Sequence, residues 1–136
     1  MSALKTRLPP GSPQDWLRHA ESDLALANLA LEREEILSEQ VCFHAQQAAE
    51  KALKAVLVAR QQRFPPVHDL EQLLEVAQQA HITLPSWSDG LLDLTPYAVE
   101  TRYPGYWEDI TPDERDRAIE LARLTLSWAR EQIATS

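Results

Sequence analysis

The sequence predicts an all-α protein, an up-and-down bundle of four long helices with one short broken helical segment. Three observations carry that expectation. There are only 3 glycines against many Ala, Leu, Glu and Gln. The few β-branched residues never alternate over the length of a strand. Helix starts are marked by capping residues at Ser12, Ser38, Asp69 and Thr111. With 136 residues, 44% of them hydrophobic, the chain suits one core. The expected organisation is a bundle over 12–134 behind a loose arm over 1–11, where Lys5, Arg7, Pro9 and Pro10 show no periodicity.

The first helix opens at Ser12-Pro13-Gln14-Asp15. Ser12 suits the N-cap, Pro13 the first helical position, and Asp15 the return bond of a capping box. Trp16, Ala20, Leu24, Ala27 and Leu31, with Leu17 and Leu26 beside them, form its apolar face to about Glu32. There Glu32, Glu34 and Glu35 oppose the helix dipole and favour a turn. The second helix, capped by Ser38, should be central. Val41, Ala45, Ala48, Ala52, Ala55 and Ala59 make a stripe of small side chains that admits a close neighbour. Cys42, Phe43, Leu53 and Leu57 carry apolar surface round most of the circumference. Its polar relief is a narrow strip of Gln40, His44, Gln47, Lys51 and Lys54, with Glu50 placed to pair with Lys54.

Pro65 and Pro66 end that helix. Asp69 with Gln72 opens a third, which buries Leu70, Leu73, Leu74 and Ala77 as far as about Ala80 and leaves His68 just outside its N-terminus. After a connection over His81–Pro85, the segment Ser86–Tyr97 carries Trp87, Leu91, Leu92 and Leu94 around Gly90 and Pro96. Short helical pieces with a kink are expected there. An aromatic turn over Thr101–Trp107 follows. Thr111-Pro112-Asp113-Glu114 then caps a last helix with Ala118, Leu121, Ala122, Thr125, Trp128, Ala129 and Ile133 on or near one face.

A formal charge of -8 excludes a protein that coats nucleic acid nonspecifically, and leaves room for a local basic site for a nucleotide or short RNA. One cysteine excludes an internal disulfide and a cysteine metal cluster. There is no glycine-rich phosphate loop, and His19 and His81 lack partners at metal-ligand spacing, so neither metal nor cofactor is expected. No apolar run reaches membrane-spanning length, and the N-terminus lacks a signal peptide's apolar core. The expectation is a soluble, cytoplasmic protein.

The His44, Gln47, Lys51, Lys54 strip admits two readings: a nucleotide or partner site, or the solvated edge of a central helix on which neither lysine is needed for packing. His68 is placed either as a general base or as a residue packing on Leu73. Arg102 could bind the last carbonyls of a preceding helix or grip a phosphate, with Tyr103 beside it. Tyr97, Tyr103, Tyr106 and Trp107 suit base stacking, or a core or dimer interface, which is the commoner role of aromatics between helices.

Three landmarks in this order resemble the HEPN family (higher eukaryotes and prokaryotes nucleotide-binding domain): Phe43-His44-Ala45-Gln46-Gln47-Ala48-Ala49-Glu50-Lys51-Ala52-Leu53-Lys54-Ala55, then His68-Asp69-Leu70, then Arg102-Tyr103-Pro104. The resemblance spans about Asp15 to Ile133. It implies a helical bundle that dimerises, and a binding module encoded beside a minimal nucleotidyltransferase as a toxin–antitoxin pair. Some family members are metal-independent ribonucleases carrying Arg, four to six residues, then His. Arg63 and His68 have that spacing here, although prolines and apolar residues separate them and the pair lies further from the C-terminus than in those members. The first expectation is therefore a homodimeric nucleotide- or RNA-binding module using His44, Gln47, Lys51, Lys54, Arg102 and Tyr103. The alternative is an endoribonuclease with Arg63 and His68 at a dimer cleft.

Overall fold

In a computed structural model, residues 8–66, 69–98 and 108–135 are described. Helix α1 (Pro13–Leu31) starts as its sequence dictates. Ser12 Oγ accepts the Asp15 N–H at 3.1 Å, satisfying one of the free donors of the first turn. The return bond is displaced by one residue. Asp15 Oδ2 accepts from the N–H of Gly11 at 3.0 Å rather than from Ser12, with Gly11 at a φ of 76° that favours glycine.

Helix α2 (Ser38–Ala59) departs from the expected cap. Leu37 is its N-cap and makes no side-chain capping bond, so Ser38 is the first helical residue. The Leu37 carbonyl accepts from both Gln40 and Val41, which tightens the first turn. The far end closes as a Schellman motif: Gln62 N–H donates to Leu57 O at 2.9 Å, and Gln61 N–H to Val58 O at 3.0 Å. Helix α3 (Leu70–Gln79) ends the same way, with Ile82 N–H on Ala77 O and His81 N–H on Gln78 O, both at 3.0 Å. Each motif needs a left-handed residue, and here those residues are Gln61 (φ 59°) and His81 (φ 61°). Both are exposed. Gln61→Gly and His81→Gly should each raise stability by about 0.5–1 kcal/mol by removing the cost of a Cβ in that conformation. Urea denaturation checks this, and a loss of stability in either variant would contradict the left-handed turn.

At the start of α3, Asp69 Oδ1 accepts the Glu71 N–H at 3.0 Å. Gln72 reaches the Asp69 carboxylate at 3.3 Å instead of its backbone. With 10 residues, α3 is the short member of the bundle. The segment Ser86–Ala98 is one 3₁₀ helix rather than kinked pieces. Three residues per turn stack Ser88, Leu91 and Leu94 in one buried line, with half-buried Tyr97 next in register. Gly90 permits the close approach of this segment to α4 (Pro112–Ala134), since a β-carbon there would lie 2.7 Å from Arg117 Nη2 and 3.3 Å from Leu121 Cδ2.

Helix α4 begins with a complete capping box: Thr111 Oγ1 accepts the Glu114 N–H at 3.1 Å, and Glu114 Oε1 accepts the Thr111 N–H at 3.3 Å. Tyr97 donates to the other carboxylate oxygen at 3.3 Å. The Thr111 N–H, then its hydroxyl, hold the Glu114 carboxyl below the ordinary glutamate range. A lowered folded pKa stabilises above the unfolded value, so this contribution should be complete above about pH 4.3 and vanish as the pH falls further. Protection of the Thr111 amide, taken relative to its intrinsic exchange rate at each pH, should fall through that acid window before protection in mid-α4 does.

The core lies round α2, which is buried from Val41 to Leu57 except at Phe43, His44 and Lys51. Ala45, Ala48, Ala49, Ala52 and Ala55 are fully buried and let the backbones of α1 and α4 come close. Leu53, Leu57, Leu70, Leu73, Leu91, Leu94 and Leu126 fill the space between helices. Among the described residues there is no strand, and no helix is long and apolar enough to cross a membrane.

Candidate functional site

The polar strip of α2 faces α1, where a carboxylate meets it. His44 Nδ1 lies 3.2 Å from Asp23 Oδ1, and Lys51 Nζ donates to Asp23 Oδ2 at 2.5 Å. The three side chains are 15–23% exposed, so the network lies in the seam between the helices. Further along, Lys54 Nζ donates to Glu50 Oε2 at 2.9 Å, with side chains only 7% and 2% exposed. Gln46 donates to Glu50 at 3.2 Å, and Gln47 to Gln46 at 2.7 Å. The Lys54 ammonium also stands 5.4 Å from the centre of the Trp16 ring and 5.7 Å from that of Phe64.

These positions correct the solvated-edge reading. Gln47 and Lys54 are buried, Glu50 and Lys54 form an interior pair, and Lys51 is engaged across helices, so both lysines take part in packing. The partner that sequence reasoning missed is Asp23, 21 residues before His44 and 28 before Lys51. Its one signal is a lone acid at the edge of the apolar face of α1, on the same side as Ala20 and Ala27.

Arg63 has a different setting. It is exposed on the connection between α2 and α3, and it makes no ion pair with any described residue. The next residue, Phe64, turns inward and packs its ring edge-on against Trp16, with centroids 6.4 Å apart. Arg60, one turn earlier, donates to Gln132 at 2.7 Å and joins the ends of α2 and α4. Three candidate site residues, His68, Arg102 and Tyr103, lie outside the described residues, as do Tyr106 and Trp107.

An open cleft of about 680 Å³ separates the 3₁₀ segment from the start of α4. Among the described residues, Leu94, Ile110, Ala118 and Leu121 line it, while Asp93, Glu108, Asp109 and Glu114 outnumber the single Arg117 at its rim. That charge disfavours a phosphate. Among the described residues no three His, Cys, Asp or Glu side chains converge as metal ligands would.

Fold and site together define a helical bundle whose central helix carries an internal row of amide, carboxylate and ammonium groups and leads into a connection that bears an exposed arginine. The chain belongs to the HEPN family, whose domain model matches residues 13–132. It is similar to TT1696 from Thermus thermophilus, at 29% identity and a TM-score of 0.73, over 90% of this chain and 98% of that one. It is also similar to ST0689, an archaeal HEPN homologue, at 26% identity and a TM-score of 0.66, over the same shares. The comparison with curated proteins returns no match.

Proposed function

We propose that this HEPN chain is a homodimeric binding module that holds a nucleotide or an RNA end by its phosphate and works with a minimal nucleotidyltransferase in a toxin–antitoxin-like pair. The observation that carries the binding site is Arg63. It is exposed, free of described ion pairs, and set on a connection anchored by Phe64, while Lys51 and Lys54 already neutralise carboxylates. A guanidinium in that setting can take a phosphate bidentately. Arg102 and Tyr103 are proposed as further contacts, with Tyr103 suited to stack on a base. His44, Gln47, Lys51 and Lys54 then support the site by holding α1 against α2.

The family supports the module and the dimer, and the neighbouring nucleotidyltransferase is the partner chemistry it suggests. A second reading draws on the same arginine. With His68 as base for a ribose 2′-hydroxyl and Arg63 steadying the phosphate, two chains could form a metal-independent endoribonuclease.

One titration separates the readings. A labelled 5′-phosphorylated oligoribonucleotide is added to the protein in the presence of a chelator, with mass followed by light scattering. Arg63→Ala should weaken binding by about tenfold, the value of one charge-assisted contact, while the dimer persists. Unchanged affinity would overturn the proposed site. RNA recovered intact supports the binding module; a cyclic-phosphate product that disappears in His68→Ala establishes the nuclease instead.

A further inference from the structure

Between Gln62 and Pro66 the chain leaves α2 without regular hydrogen bonding. Among the described residues its last backbone anchor is the Gln62 N–H on Leu57 O, backed by the Gln62 amide on Arg60 O at 3.1 Å. Pro65 and Pro66 have no N–H to offer. Over the described residues 63–66 the connection is held by the Phe64 side chain, which packs on the core beside Trp16 of α1. Beneath both rings is the Lys54 ammonium, pinned by Glu50 so that it cannot follow a moving ring. Swinging Phe64 outward would part a cation from an aromatic ring and admit water to an interior ion pair. Three elements are thus tied at one point, immediately next to Arg63.

We propose that Trp16, Lys54 and Phe64 form a clamp that fixes how Arg63 is presented, and so act as positioning residues for phosphate recognition at that arginine. The proposal rests on the reading of Arg63 given above. It makes the buried lysine a determinant of binding at a distance, through the ring that covers it. A phosphate contact depends on geometry because a guanidinium on a loose segment loses conformational freedom on binding.

The test uses Phe64→Leu, which keeps apolar volume and removes the ring face, with Phe64→Tyr as the conservative rescue. Trp16→Leu opens the clamp from the α1 side, remote in sequence from the arginine. Native-state trypsin cleavage after Arg63 reports release of the connection, each rate divided by that of the same bond in the unfolded variant. Binding of the labelled 5′-phosphorylated oligoribonucleotide reports the site. Phe64→Leu and Trp16→Leu should each speed cleavage about tenfold, as loss of a well-formed cation–ring contact would, and weaken binding. Phe64→Tyr should restore both. Unchanged cleavage in both leucine variants would overturn the clamp. So would faster cleavage with wild-type binding in a background where Arg63→Ala loses binding. If Arg63→Ala itself binds normally, the phosphate reading fails, and cleavage alone still decides whether the clamp exists.

Discussion

Lys54→Met is expected to destabilise the protein by about 3 kcal/mol, the ordinary cost of removing one member of a buried ion pair. Methionine keeps the length and apolar stem of the lysine, so packing against α1 is nearly preserved and the loss is electrostatic. Glu50, with only 2% of its side chain exposed, would stay in the interior without the ammonium now 2.9 Å away. The double variant Lys54→Met with Glu50→Leu separates the causes. Removing both charges replaces the pair by apolar groups of similar size, and should recover most of the stability. Guanidinium denaturation of the wild type, both singles and the double gives the coupling directly. A Lys54→Met variant as stable as wild type would show that the pair is solvated.

Asp23→Ala should cost about 2 kcal/mol, because one half-buried carboxylate receives both His44 and Lys51 from the neighbouring helix. The loss should exceed that of an exposed pair such as Arg33 with Glu35 in the turn after α1, which water and salt screen. Combining Asp23→Ala with Lys51→Ala should cost less than the sum of the singles, since each removes the same contact. The check is again chemical denaturation, at low and high salt. A half-buried pair should lose less to salt than the surface pair. Equal effects of Asp23→Ala and Glu35→Ala would place Asp23 in water and return the strip to a solvated edge.

These two experiments also bear on where a ligand can sit. If Lys51 and Lys54 are engaged within the bundle, the cations left near the end of α2 among the described residues are Arg60 and Arg63, and Arg60 is already bonded to Gln132 while Arg63 is exposed. The described residues of the cleft by α4 carry more acids than cations, which disfavours a phosphate there.

The sequence by itself determined the helical class, the caps at Ser12, Asp69 and Thr111, and the central place of α2, because these follow from local bonding and from periodicity along one helix. It also carried the family, through motifs read in order along the chain. The Glu50–Lys54 contact was legible for the same reason, as a pair one turn apart. Its burial was not, since whether a helical face meets water depends on what packs against it. Only the tertiary structure decided that the strip faces α1, where Asp23 receives His44 and Lys51, and that Trp16 and Phe64 roof the lysine. Ser38 shows the same limit in miniature: its type suits a cap, but Leu37 takes that position once the turn from α1 sets where α2 begins. Spacing along a helix fixes which side chains share a face. Which face becomes interior is settled by a neighbouring helix whose residues are distant in sequence and adjacent only in the fold.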